Sequence, residues 1–267
     1  MCVRQHKPLL DFCEEHGIDL LFLGANHTLS QHAANYVAFI EEAHARDMRI
    51  MALAGRAEWA LAEHHHEVLS MVNRVLAFNA AYPWAAFDGI QLDIEPYTMP
   101  GFFAKRETIG KQFLNVLQEV KRTVRASDQT LELNAAIPFW YATGYSKVVL
   151  NYDGEVKPLS HHILDIFDSV SIMAYRSHAQ GQINVAKADL SYASKIGKKA
   201  YVGAETNPPR GDSIPHIVTY HHDRISNMHQ HLHHVEQSLS SYAGFAGMAI
   251  HHYDSYRYMV ERDRWTQ

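Results

Sequence analysis

The chain has 267 residues, 47% apolar and 20% charged, with a formal net charge of −5, an ordinary globular composition with room for a sizeable core. The mild acidity speaks against a phosphate-tracking surface, because nucleic-acid binders carry a basic excess or stripe, and no apolar run approaches the roughly 18 to 20 residues of a membrane helix. Cys2 and Cys13 are too few for a disulfide framework, and the polar opening MCVRQHKPLL lacks the apolar stretch of a signal peptide, so composition leaves the compartment open.

Short β-like apolar runs alternate with stretches of helical period. A helix over 7–16 (KPLLDFCEEH) precedes a strand over 19–25 (DLLFLGA), a helix over 32–46 and a strand over 48–54 (MRIMALA). A helix over 61–81, a strand over 87–95 (FDGIQLDIE), a helix over 105–125 and a strand over 130–137 (TLELNAAI) follow. Strands over 168–175, 200–205 and 244–251 alternate with helices over 183–196 and 219–240. The strands are continuous apolar runs, as strands covered on both faces should be, and the βαβ alternation is that of a parallel sheet. The expected class is α/β: a (β/α)8 TIM-type barrel, which needs eight strands, with the first strand lacking from this chain. An open doubly wound sheet is the alternative, but no glycine-rich phosphate loop follows an early strand. Without a repeat, linker or composition break, one domain over 1–267 is expected.

The segment Phe87-Asp88-Gly89-Ile90-Gln91-Leu92-Asp93-Ile94-Glu95-Pro96 carries the most chemistry. Strand side chains alternate, so Gln91, Asp93 and Glu95 share one face and Ile90, Leu92 and Ile94 the other. Neighbouring buried carboxylates push one pKa upward, as a general acid near neutral pH requires. Pro96 ends the strand and sets Glu95 at its C-terminal mouth, where barrel enzymes carry their chemistry. Pairing of both acids with buried Arg or Lys, in a purely stabilising role, is the competing reading.

This strand resembles the strand-4 signature DGxDxDxE of the family 18 glycoside hydrolases, the chitinases and endo-β-N-acetylglucosaminidases. Asp88 and Gly89 match its opening, Asp93 its last aspartate and Glu95 the catalytic acid; Gln91 stands where the family has its first inward aspartate. Met173-Ala174-Tyr175 is similar to the family's Met-x-Tyr, and the run from Leu133 and Asn134 to Ile137-Pro138 to its Ala-x-Pro strand. Arg176 replaces a frequent aspartate, and the last strand through His251 lacks the family's tryptophan. The resemblance implies a substrate-assisted retaining mechanism: Glu95 protonates the glycosidic oxygen, Asp93 orients the sugar's 2-acetamido group, and Tyr175 donates a hydrogen bond to it.

The mouth offers further candidates. Glu205 is a third carboxylate, a nucleophile or base in a two-carboxylate glycosidase or merely a loop cap. Asn26, Arg56, Glu58, Asn134, Arg176 and His251 lie near strand ends as a polar lining for a hydroxyl-rich ligand; Gln91 and, by the resemblance, Met173 are further substrate-binding candidates. Trp140, Tyr141 and Trp59 are stacking platforms or packing residues. The 20 histidines cluster at 64–66, 161–162, 221–222 and 229–234, on expected outer helices or loops; His229 and His233 have the i, i+4 spacing of a metal pair, but exposed helix histidines are the simpler reading. No metal site or cofactor is expected. The expected partner is a carbohydrate, and two other classes stay open: a non-catalytic carbohydrate-binding barrel, fed by Gln91 and the missing tryptophan, and a metal-dependent hydrolase using Asp93, Glu95 and His251.

Overall fold

The computed structural model describes residues 6–25, 28–210 and 215–264; Cys2 and Asn26 lie outside them. The chain divides into two compact units, up to Ala135 and from Ala136 on.

The first unit runs α1 (Lys7–Glu15), β1 (Leu20–Gly24), α2 (Ala33–His44), β2 (Arg49–Ala54), α3 (His65–Ala81), β3 (Gly89–Leu92), α4 (Phe102–Arg125) and β4 (Glu132–Pro138), which carries across the boundary. Its strands pair in parallel, with Leu20 opposite Arg49, Met51 opposite Gly89, and Gly89 opposite Glu132. Ile50, Met51, Ala52, Ile90 and Leu92 are wholly buried, which is why these strands read as unbroken apolar runs. Helix α4 buries Ile109, Phe113, Leu117, Val120 and Val124 along one stripe. It begins at Phe102, three residues earlier than expected, because a kink at Lys105 (φ −114°) interrupts the periodic pattern there. Asn79 of α3 grips the start of the third strand, its side chain accepting from Phe87 N (2.8 Å) and donating to Phe87 O (3.0 Å).

Helix α1 buries Leu10 and Cys13, and burial pushes the Cys13 thiol up to about 11. Helix-to-strand turns in both units use a left-handed residue, Gly17 (φ 64°), Asp47 (58°), Asp128 (57°) and Gly197 (70°), the conformation that ends a helix and frees the chain to turn back.

The second unit continues with β5 (Val149–Tyr152), β6 (Glu155–Pro158), α5 (Leu159–Ile166), β7 (Ser169–Met173), α6 (Ala179–Lys195), β8 (Lys199–Glu205), α7 (Ile225–Leu239), β9 (Phe245–His251) and α8 (Tyr253–Arg264). The β5–β6 hairpin is antiparallel and turns on Asp153 (φ 53°) and Gly154 (φ 84°). The hairpin, α5 and α8 are additions to the expected elements, and α7 starts six residues after the expected 219, since 216–218 form a 3-10 turn. Helix α6 begins at Ala179, where the His178 side chain caps it by accepting from Gly181 N (3.0 Å).

Helices α5 and α6 enclose Asp189 completely, with His161 Nε2 3.7 Å from its Oδ1. Burial pushes the Asp189 carboxyl up to about 7, against the opposing pull of the Ser160 hydroxyl. Burial likewise drives His161 down to about 4, and its ring stacks on Tyr192 at 4.0 Å.

The strand order is β1-β2-β3-β4-β7-β8-β9, each of the seven followed by helical structure, with α1 in front of the first. This is the expected α/β class, a (β/α)8 barrel pattern short of one strand. No helix among the described residues is long and apolar enough to cross a membrane.

Candidate functional site

The end of β3 is shorter than its sequence suggests. Regular strand stops at Leu92, yet the chain stays extended enough for Asp93 N to donate to Ala54 O (3.0 Å). The alternation persists: Ile90, Leu92 and Ile94 are 0–1% exposed, while Asp93 and Glu95 are half-buried. Gly55, just past β2, lies so close that a Cβ there would stand 1.8 Å from Asp93 O. Asp93 is therefore set by backbone packing on its neighbour strand.

Gln91 and Asn134 face each other across the β3–β4 register, and Gln91 Nε2 donates to Asn134 Oδ1 at 2.9 Å in a buried pair. Glu95 precedes a 3-10 turn, Pro96–Thr98, which brings back Tyr97 so that its hydroxyl donates to Glu95 Oε1 at 2.5 Å. Thr98 Oγ1 closes the turn on Glu95 O (2.8 Å). Asp88, at the opposite end of the strand, receives Ile50 N (2.6 Å) and His44 Nε2 (3.0 Å) and is a structural clasp.

Trp59 is 7% exposed and its Nε1 donates to Glu67 Oε2 (3.0 Å), where Arg56 also donates (3.0 Å). Hydrogen bonds from His64 and Trp59 hold the Glu67 carboxyl below its ordinary range. Trp59 thus packs beneath this cluster and presents no open stacking face.

In the second unit β7 ends at Met173, half-buried, and Tyr175 and Arg176 follow. The Arg176 guanidinium lies over the Phe139 ring (4.5 Å) and donates to Tyr175 O (2.7 Å); burial lowers its pKa. Trp140 is half-buried in the turn after β4 and meets the buried Tyr141 edge-on at 4.9 Å.

The ends of β8 and β9 bring Glu205 and His251 together. Glu205 is 4% exposed. Its Oε1 accepts from Thr206 N (2.8 Å), Asn207 N (2.7 Å) and Asn207 Nδ2 (3.0 Å), and its Oε2 lies 3.1 Å from His251 Nδ1. Burial alone would raise its pKa; the His251 and Asn207 hydrogen bonds outweigh that and hold the carboxyl below its ordinary range. Tyr175 lies nearly parallel to His251, ring centres 6.2 Å apart.

Tyr97, Thr206 and Asn207 are members that sequence reasoning missed. Two signals pointed to them: a tyrosine two residues from a strand-end acid across a proline, and an Asn two residues past an acid, in reach of its carboxylate. The histidine pair expected at i, i+4 divides, His229 facing the Tyr256 hydroxyl (2.8 Å) and His233 facing Gln237 (2.9 Å). Among the described residues no three His, Cys, Asp or Glu side chains come together as a metal site would need.

No protein-family model matches the chain, and no curated protein sequence does. Solved structures do. A GH18 chitinase from Pseudoalteromonas aurantia aligns over 95% of both chains with a TM-score of 0.60 at 12% identity. A GH18 chitinase from Cycas revoluta, solved in complex with (GlcNAc)3, aligns over 76% of this chain at 16% identity and a TM-score of 0.51. This chain spans 66% of that chitinase's length. A Bacteroides uniformis beta-glucuronidase matches 94% of this chain through 28% of its own, with a TM-score of 0.57 at 10% identity. At such identities the likeness is one of architecture: the chain has the (β/α)-barrel pattern, short of one strand, and its fold is similar to that of GH18 chitinases.

Proposed function

We propose that the chain is a glycoside hydrolase-like protein acting on N-acetylglucosamine-containing glycans, with Glu95 as general acid. The observation that carries this reading is Glu95 itself: half-buried at the C-terminal end of β3, with Oε1 fixed by the Tyr97 hydroxyl, in a chitinase-like fold. In its acid form Glu95 gives its proton to the glycosidic oxygen as the bond to the anomeric carbon breaks. The sugar's own acetamido oxygen forms the new bond to that carbon, Asp93 orients the acetamido N–H, and Tyr175 donates to its carbonyl. Gln91, Asn134, Trp140, Met173, Arg176 and His251 are assigned to ligand binding in this reading. Glu205, with its oxygens committed to its own loop and to His251, serves as an orienting group and not as a nucleophile.

The test is hydrolysis of fluorogenic β-N-acetylglucosaminides and their oligomers by the wild type and Glu95→Gln. Turnover by the wild type should fall at least about 100-fold in the variant, with oligosaccharide affinity and melting temperature retained. Activity surviving the substitution would sink the assignment.

A second reading has its own observation. The Gln91–Asn134 amide pair occupies the place where an aspartate would share a proton with Asp93, which favours a carbohydrate-binding barrel without turnover. Oligosaccharide binding with no product after long incubation is its signature.

A further inference from the structure

Glu205 and His251 are arranged as a buried carboxylate orients a working imidazole. Glu205 accepts three N–H donors from the chain immediately after it, two of them backbone, so it is ionised and fixed in place. A carboxylate only accepts, so the His251 nitrogen facing it at 3.1 Å, Nδ1, carries the ring hydrogen. Asn207 Nδ2 also lies 3.2 Å from this nitrogen and gives one of its two hydrogens to Glu205 Oε1 at 3.0 Å; against an ionised carboxylate with oxygens 3.1 and 3.3 Å away, Nδ1 is the donor. The remaining nitrogen, Nε2, is then the basic one. The backbone beneath the ring is also held: Thr206 donates its hydroxyl to His251 O (2.8 Å) and shares its N–H between His251 O and Glu205 Oε1 (2.8 Å each), and Thr206 Oγ1 meets Ser255 Oγ at 2.7 Å. Glu205 is 5% exposed in its side chain while His251 is 54% exposed, so the pair reaches from the interior to the surface at two strand C-termini. Among the described residues, Tyr175 and His252 are ionisable rings beside His251, the latter edge-on at 5.3 Å.

We propose that Glu205 and His251 form a proton-relay dyad, in which His251 Nε2 takes the proton of a water or sugar hydroxyl and Glu205 positions the ring. The inference rests on the glycan reading above. In the step, the acceptor oxygen forms the new C–O bond to the anomeric carbon, the bond from that carbon to the acetamido oxygen breaks with its electron pair returning to the acetamide, and the acceptor's O–H bond breaks with its proton ending on Nε2. The cationic charge passes from the sugar to the imidazolium and lies against the Glu205 carboxylate. His251 is then a general base and Glu205 a positioning residue.

The deciding experiment combines nitrogen-15 NMR of histidine-labelled protein with kinetics. His251→Asn identifies the His251 signals by their loss. On the basic side of its titration the wild-type His251 should carry its single ring hydrogen on Nδ1, and Glu205→Gln should move that hydrogen to Nε2, because a glutamine can turn its amide NH2 toward Nδ1. On a glycan substrate both variants should lose about 100-fold or more in kcat with KM within about threefold, and the imidazole limb of the pH–rate profile should vanish. A wild-type His251 protonated on Nε2, or variants that keep kcat within threefold and the same profile, would overturn the dyad. If the wild type turns over no glycan, the function proposed above fails by itself, and the NMR tautomer still decides for or against the dyad. If Glu205→Gln does not fold, the exposed His251→Asn carries the kinetic arm and the wild-type spectrum the other.

Discussion

Gly55→Ala is expected to destabilise the first unit by about 3 kcal/mol or more and to displace Asp93. The reason is distance. A Cβ at position 55 would stand 1.8 Å from the Asp93 carbonyl oxygen, 2.4 Å from its carbon and 2.9 Å from its Cα. All three are backbone atoms, so no side chain can swing aside. The obstructed backbone also carries the Asp93 N–H that bonds Ala54 O, and relief by shifting it loses that bond and turns the carboxylate. Urea unfolding measures the stability loss, and turnover on the N-acetylglucosaminide substrates measures the displacement. A variant within about 1 kcal/mol of the wild type would mean that the two strand ends are further apart than described.

The second large effect is a pH dependence. Asp189 titrates near 7 in the folded chain against a reference value of 3.8. A raised carboxylate favours the folded state when protonated, so its stabilising share is complete at low pH and is lost as pH rises from about 4 to 7. The whole swing is about 4 kcal/mol at most. His161 works in the opposite sense. Lowered to about 4 from 6.5, it costs stability as pH falls through that range, by up to about 3 kcal/mol. In the wild type the two slopes oppose each other between about pH 4 and 6.5 and hide one another. Asp189→Asn separates them: the variant should match the wild type near pH 4, gain on it progressively up to about pH 7, and hold a constant advantage above. Urea midpoints for both proteins at pH 4, 5.5, 7 and 8 give the difference curve, and a flat difference would show that Asp189 ionises as an ordinary surface acid does.

The seven sheet strands and most helices were legible in the sequence because burial on both faces and helical period are properties of residue type at fixed spacing. The hairpin was missed although Asp153-Gly154 is the dipeptide that a two-residue turn with positive φ prefers; Tyr152 and Glu155 beside it lack the apolar alternation that marks a strand. Helix α5 is only eight residues long, too short for a period to declare itself. The start of α7 was placed too early because Thr219 and Tyr220 read as helix, whereas Thr219 donates to Asn207 O and Tyr220 to Gln182; tertiary partners overrode local preference. At the candidate site, Asp93 and Glu95 stood out because two acids at i, i+2 are unusual on an otherwise apolar strand. Trp59 and Glu205 were named but their roles were open, since which partner claims an indole N–H or a carboxylate depends on neighbours distant in sequence.

Helix α1 has a practical consequence. Cys13 is one of only two cysteines in the chain, it has no exposure, and its thiol, pushed up to about 11, offers almost no thiolate at neutral pH. In a Cys2→Ser chain a thiol-reactive dye would therefore wait for α1 to lift away, and its labelling rate would count those openings. Gly55→Ala, by loosening the strands of the same unit, should make that clock run faster.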